Sequence, residues 1–462
     1  MDASIVKKLA TYDVKSIARK LQKSVSDSVV SGEDYDFLFT TYLLIKFKDT
    51  EITEDSIASL SVPDYTKSDL CKVIPLVDSI KNVVSDEELL AFFLYAEAPN
   101  NEKLLYPNSS VVSLATELLK VGSKTSCCEL GNTHGEFIRE VYIRGVKEVS
   151  VTDNADALTY LRADVLGTTL TEFDESKKYD ANLYITGQIS ANIGESEHRI
   201  IRMLAESEAN AVVFVPSAVT FTNAPDVVWT RGFISKSVAS VIQMTSGICN
   251  YSHASTCLIV LGVNYGNIRF VNAQDIYSGN HRDVYLADSD IKDIIAAVNS
   301  DTDISVIVSC DDLTKTNYEL LPSKYTNIPE VKNAMKLIDA TVQMYYSAKL
   351  ENAKSAKNAI YFVGKRVRMF DTDVELPRSA VVVDLNPEKI LAKYAYYFFN
   401  SHIGNDVINH GGSGVTNILH HRDVENLDIP AMSIKEQQEL ITKADNLVHT
   451  IEEAQADLDS LF

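Results

Sequence analysis

The feature that most restricts this chain is an alternation of short apolar segments with amphipathic ones, sustained from about residue 101 to 275. SSVVSLATELLKVG, a helical pattern, leads to the strand-like KTSCCEL, and VKEVSVTD is followed by the helical NADALTYLRADVLG. YDANLYIT and NAVVFVP flank the helical SEHRIIRMLAESEA, after which come VASVIQM, STCLIVLGV and NIRFVNA. Strands that are apolar along their whole length, with helices between them, predict an α/β domain with a doubly wound, mostly parallel sheet. Ligands of such sheets lie at the carboxyl ends of the strands.

Around this centre the pattern changes. Residues 1–100 carry apolar residues at helical spacing, as in DYDFLFTTYLLIKF and DEELLAFFLYAE, and predict a helical domain. The α/β domain is assigned to 101–330, although the alternation fades after about 276. Residues 331–432 mix strands (AIYFVGKRVRMF, SAVVVDL) with the helix EKILAKYAYYFFNSHIG and the glycine-rich HGGSGVTN, an α+β domain. The tail, 433–462, opens on Ser433 and Glu436, a capping box. Ile441, Ala444, Leu447, Ile451, Ala454, Leu458 and Leu461 then form an apolar stripe, suited to a partner helix or to docking on the chain's own domain.

Charge narrows the choice of ligands. The net charge is −21, but residues 345–430 hold ten basic and ten acidic residues, leaving 33 basic and 54 acidic elsewhere. A general affinity for polyanions is therefore excluded, and any nucleic-acid contact belongs to the neutral C-terminal part. There Lys365, Arg366, Arg368, His410, Ser413, His420 and His421 are the candidates, with His402 nearby. The six cysteines include no CxxC pair, so neither a metal site nor a disulfide framework is expected. No run of about 18 apolar residues and no secretory signal pattern are found, which predicts a cytoplasmic chain without a membrane segment.

The stretch ELGNTHGEF, 129–137, lies where the first strand of the sheet turns into a helix. An acid ending one strand, a loop of small residues, and an acid ending the next strand are the usual setting for an adenosine-type ligand, whose ribose the second acid binds. Glu129 and Asp153 fill these places, 24 residues apart, with Gly131 and Gly135 in the loop. Elsewhere, Ser252, His253 and Cys257 of YSHASTC fall in sequence as core and surface alternate on a strand, and HGGSG lacks the Gly-Lys-Ser/Thr of a phosphate-binding loop.

In order, these segments resemble the modification subunit of type I restriction–modification systems, an N6-adenine DNA methyltransferase that uses S-adenosylmethionine. LLYPNSSVVSLATELL looks like the stretch before the cofactor loop, with Pro107 at the proline of the family's Thr-Pro. CCELGNTHGEFI looks like the first cofactor motif, Asp-Pro-x-Cys-Gly-Ser-Gly-Gly-Phe-Leu, and VTDNADALTYLRADVLG like the second, with Asp153 as its acid. NAVVFVPSAVTFT, WTRGFISKSVASVIQM, GICNYSHASTCLIVLGV and DDLTKTNYELLPSKYTN follow the later segments. The resemblance implies a class I methyltransferase-like sheet and, as cofactor-binding positions, Pro107, Glu129, Gly131, Gly135 and Asp153. The part from AKYAYYFF to the tail resembles one target-recognition domain of the DNA-specificity subunit of the same systems, which usually has two.

The same resemblance exposes departures. The family activates its adenine amine with Asn-Pro-Pro-Phe or Tyr after the fourth strand: the Asn side chain and a proline-fixed carbonyl accept the amine hydrogens, and the ring stacks on the flipped base. Ile185, Thr186, Gly187 and Gln188 stand there instead, without an acceptor at the first position, a stiff turn, or a stacking face. A shifted register would offer Asn182 and Tyr184. In the cofactor loop Thr133 occupies a glycine position, and His134 and Glu136 add bulk. The sequence thus predicts a catalytically inactive homologue that binds DNA or serves as a structural subunit in a restriction–modification or phage-defence system. It would act as a homodimer or beside an active methyltransferase or restriction subunit, with S-adenosylmethionine binding doubtful. The alternatives are an active adenine methyltransferase with divergent motifs, and an acidic DNA mimic.

Overall fold

The computed structural model describes residues 1–25, 34–48, 50–97, 105–153, 155–187, 193–207, 210–249, 254–280, 283–326, 328–347, 357–370, 376–411 and 419–459. It divides into two compact units, Met1–Pro322 and Ser323–Phe462.

The first unit opens on helices α1 (Ala3–Leu9), α2 (Val14–Val25), α3 (Asp34–Lys46), α4 (Glu54–Ala58), α5 (Asp64–Lys72), α6 (Val77–Ile80) and α7 (Asp86–Tyr95). α7 begins at a capping box: Ser85 and Glu88 each accept the other's backbone N–H, at 3.2 and 2.9 Å. α8 (Ser109–Leu118) follows, capped by Asn108, whose Oδ1 accepts from Val111 N. The alternation then runs β1 (Cys127–Leu130), α9 (Glu136–Ile143), β2 (Glu148–Val151), α10 (Ala157–Leu166), β3 (Thr169–Glu172), β4 (Ala181–Ile185), α11 (Glu195–Glu206), β5 (Ala211–Pro216), β6 (Val238–Met244), β7 (Thr256–Leu261) and β8 (Asn267–Ala273).

With Ser305–Ser309 these strands make one nine-stranded sheet, ordered β3-β2-β1-β4-β5-β7-β6-β8 and then 305–309. β3 through β5 pair in parallel, as do β6 and β8, while β7 runs antiparallel to both of its neighbours. This is the doubly wound, class I methyltransferase-like sheet. The sequence pattern missed its two outer strands for one reason. Edge strands are half exposed, so TLTE and SVIVS lack the continuous apolar run of the inner ones. Chain order reverses between β1 and β4, so the carboxyl ends of these two strands flank the switch point.

The helical segment and the sheet share one apolar core, from Leu9, Tyr42 and Phe93 through Phe137 and Leu158 to Val212. Through it passes a fully buried cation. Arg162 of α10 donates to the carbonyls of Phe93, Ala96 and His134 and to Glu136 Oε1, at 2.6–3.1 Å. Arg139 meets Glu136 Oε2 at 2.5 Å, so both carboxylate oxygens face a guanidinium.

The second unit is α+β. Thr341–Tyr346, Val381–Leu385, Ala359–Val363 and Arg366–Met369 form, in that order, an antiparallel sheet, joined by helices Ala392–Phe399 and His402–Gly411. The terminal helix, Ile434–Asp459, starts at the expected Ser433–Glu436 box. Its first turns dock: Ile441 is buried, Gln437 bonds to the backbone of Lys389, Leu391 and Met432, and Asp445 meets Lys393 and Tyr397. Farther along, Leu447 and Ile451 are 66% and 67% exposed.

Candidate functional site

At the switch point, Leu130 of β1 pairs with Tyr184 of β4, which brings the loop after β1 beside Ile185. The approach is close. Gly131 has φ +95°, and a Cβ built on it would lie 2.5 Å from the Ile185 carbonyl oxygen. Gly135, φ +79°, would press a Cβ to 3.1 Å from the Arg162 side chain. Both glycines are thus required by the chain's own packing.

Several polar groups of the loop bond within it. Glu129 Oε1 accepts from Thr133 N at 2.6 Å, and Asn132 Oδ1 accepts from His134 N at 2.8 Å. Glu136 N donates to Thr133 O, and Phe137 N to Thr133 Oγ1, at 3.1 and 3.0 Å. His134, itself at φ +53°, bonds through Nδ1 to Asp156 and packs its ring 4.3 Å from that of Tyr106. Asp156 in turn caps α10, accepting from Thr159 N. Burial alone would raise the Asp156 carboxyl, but the hydrogen bond and charge of His134 and the bonds from Thr159 hold it below the usual carboxylate range. Glu129 goes the other way: burial pushes it up to about 7 although Thr133 bonds to it. Glu129 Oε2 and His134 Nε2 are buried without a hydrogen-bond partner among the described residues.

The other expected positions fall around this loop. Pro107 is buried and bridges to Cys249, and Leu105 N donates to Gly187 O at 3.4 Å, so the segment before α8 reaches the same end of the sheet. Asp153 is exposed just past β2, and it is Asp156, three residues later, that meets the loop. Sequence reasoning passed over both Asp156 and Tyr106. The signal for the first was its N-cap position before ALTYLRADVL. Ile185 is buried at the end of β4, the Thr186 hydroxyl donates to Phe214 O at 3.1 Å, and Gly187 N donates to Glu197. Gln188 lies outside the described residues, as do Ser252 and His253. Asn182 sits near the start of β4, away from the switch point, with its amide donating to the carbonyls of Tyr179 and Asn210. Tyr184 is buried within the strand.

S-adenosylmethionine would present a carboxylate and an adenosine to this loop. The amides of Thr133, His134, Glu136 and Phe137, which could have met the carboxylate, already have acceptors. A pocket of about 410 Å³ does open beside Asp156, but its walls are Tyr35, Asp36, Phe39, Tyr65, Asp69, Lys72 and Ala157, without Glu129, either loop glycine or Asp153. Those four amides therefore offer the cofactor's carboxylate no free donor.

In the second unit Arg366 and Arg368 are exposed on the edge strand, with Lys365 half-buried at the preceding turn. His410 ends helix His402–Gly411, close to Lys324, which donates to Gly411 O at 3.2 Å and which sequence reasoning missed. His420 is exposed, whereas His421 is held by Met344 O and Glu425. Ser413 and most of HGGSG lie outside the described residues. Among the described residues no group of His, Cys, Asp and Glu could hold a metal ion, and no helix is long and apolar enough to cross a membrane.

Residues 190–334 match the model of the N-6 DNA Methylase family. That segment of the chain is therefore N-6 DNA methylase-like. It covers β5 to β8 and begins after the loop of β1 and the end of β4. No curated protein matches the sequence. Among solved structures, the chain is similar to a type I restriction–modification methyltransferase subunit from Streptococcus thermophilus: TM-score 0.46, 14% identity, covering 70% of this chain and 87% of that one. It is similar also to the EcoKI M protein (0.39, 10%, covering 67% and 89%) and to the type IIG restriction endonuclease BpuSI (0.44, 11%, covering 96% and 72%).

Two outcomes check this description of the loop. Gly131→Ala should destabilise the first unit by more than about 1 kcal/mol in urea unfolding, since strain and a backbone clash combine; an unchanged midpoint would mean the glycine serves a ligand instead. Because Glu129 is raised from 4.5 to about 7, its proton is kept on folding, and its stabilising contribution is complete below about pH 4.5 and is lost as pH rises toward 7. Glu129→Gln should therefore gain stability relative to the parent chain as pH rises through that window, and a flat difference would place the proton elsewhere.

Proposed function

We propose that this methylase-like chain is a non-catalytic homologue of the N6-adenine DNA methyltransferases, acting as a DNA-binding or structural subunit of a restriction–modification or phage-defence assembly. The observation that carries this is the end of β4. Where the amine of adenine would need an acceptor, Ile185 offers a buried hydrocarbon, and the Thr186 hydroxyl is spent on Phe214 O. Removing one such partner typically slows an enzyme by about 100–1000-fold, or about 3–4 kcal/mol. The shifted register with Asn182 and Tyr184 gains nothing, because Asn182 is tied to backbone at the start of the strand. The closed loop after β1 supports the same conclusion for the cofactor.

Tritiated methyl transfer to mixed-sequence DNA tests this. No incorporation above background is expected, for the parent chain or for Asn182→Ala. Incorporation abolished by that substitution would establish an active enzyme.

The C-terminal unit, read as one target-recognition domain, supplies the DNA contact. Its terminal helix leaves Leu447 and Ile451 uncovered, which favours a second copy, since two such units would restore a two-fold reader. In sedimentation the chain should run as a dimer, and Leu447→Asp with Ile451→Asp as a monomer; a parent chain monomeric at micromolar concentration would overturn the pairing. The acidic-mimic alternative requires instead that the chain bind DNA-binding proteins and not DNA.

A further inference from the structure

One edge of the nine-stranded sheet is open. Strand Ser305–Ser309, SVIVS, ends the sheet and pairs with β8 alone. Ile304 O accepts from Asn272 N at 2.8 Å and Cys310 N donates to Gly266 O at 2.9 Å, so the even-numbered residues bond toward β8. Bonding alternates along an antiparallel pair, and the backbone groups of Ser305, Ile307 and Ser309 therefore point the other way. Ser305 N is turned back onto Thr302 O at 3.1 Å. Ser305 C=O, Ile307 N–H and C=O, and Ser309 N–H have no hydrogen-bond partner among the described residues.

Open edges are ordinarily blunted by charge, proline or a bulge. The opposite edge of the same sheet, β3, carries Glu172, whereas SVIVS has none of these and pairs with β8 without a register shift. Ile307 is 50% exposed, and Tyr265 is exposed in the loop whose Gly266 meets Cys310. A row of unpaired donors and acceptors between β-branched side chains is what an extended segment meets when it adds a strand to a sheet.

Charge selects the segment. Asp303 and Asp311 stand exposed just beyond the two ends of the strand, and neither has an ion pair among the described residues. Their neighbours are paired: Asp301 with Arg269 at 2.9 Å, and Asp312 with Lys315 at 2.6 Å. A second copy added antiparallel about Ile307 would set Asp303 against the other copy's Asp311, twice, between chains of net charge −21. Like charges so placed oppose pairing, and opposite charges favour it.

We propose that strand Ser305–Ser309 receives an extended segment of a partner protein, one with an uncharged, β-branched centre and Lys or Arg on both flanks. The segment continues the sheet through the four unpaired backbone groups, and its basic flanks meet Asp303 and Asp311. This surface is independent of any DNA contact and of pairing through the terminal helix.

The test is fluorescence anisotropy of the full chain with a labelled nonapeptide, Lys-Thr-Thr-Val-Thr-Val-Thr-Thr-Lys, whose lysines have the sequence spacing of Asp303 and Asp311. The parent chain should bind it, and should bind neither the same peptide with Glu for both Lys nor one with proline at its centre. Ile307→Pro removes an outward N–H while sparing the ladder to β8, and should weaken binding about tenfold. Asp303→Lys with Asp311→Lys should weaken it by about as much, and added salt should weaken binding by the parent but not by that variant. The charge variant keeps the test decisive if proline unsettles the strand. No binding by the parent, equal binding of the Lys and Glu peptides, or binding unaltered in the charge variant would each overturn the proposal. A parent dimer that Ile307→Pro breaks in sedimentation would give the edge to a second copy and overturn it too.

Discussion

A guanidinium with no exposed surface organises the first unit. Arg162 holds the carbonyls at the end of α7, the carbonyl of His134 in the loop after β1, and the carboxylate that opens α9. Removing one partner of such a buried pair leaves an uncompensated charge, commonly worth about 3–5 kcal/mol. The helical segment and the sheet therefore share more than apolar contact: the loop's shape depends on both. With His134 fixed from behind by Arg162, its ring turns toward Asp156 and Tyr106.

That arrangement changes what the glycines mean. Glycine in a loop between strand and helix invites a ligand explanation, since close approach of backbone to phosphate or carboxylate needs it. Here the close approach is internal: Gly131 makes room for the end of β4, and Gly135 for Arg162. Thr133 behaves similarly. Its β-branched side chain, poor at a ligand-facing glycine position, serves instead as the hydroxyl that receives Phe137 N. The amides of Thr133, His134, Glu136 and Phe137 thus order the loop through its own acceptors.

Charge is divided differently toward the C-terminus. Residues 345–430 balance the signs, while the excess of acids is spread over the rest of the chain, and Arg366 and Arg368 stand on the edge strand of the second unit's sheet. Charges on an edge discourage pairing with another sheet. The same placement leaves them free to meet a polyanion.

Much of this was fixed by the order of residues alone. Apolar runs spaced by helical patterns determined the inner strands β1, β2 and β4 to β8, because a strand buried on both faces must be apolar throughout. Ser433 with Glu436 marked a helix start, since capping is local chemistry. The loss of an acceptor at Ile185 was legible for the same reason: an isoleucine side chain has none to give. What could not be read were partners brought in from a distance. The polar edge strands TLTE and SVIVS carry no pattern of their own, and Asp156 rather than the exposed Asp153 meets His134 because α10 begins there. Arg162 to the end of α7, Lys324 to Gly411, and the closing of the loop on itself belong to the tertiary structure alone, because hydrogen bonds and charges between distant segments leave no periodicity in the chain.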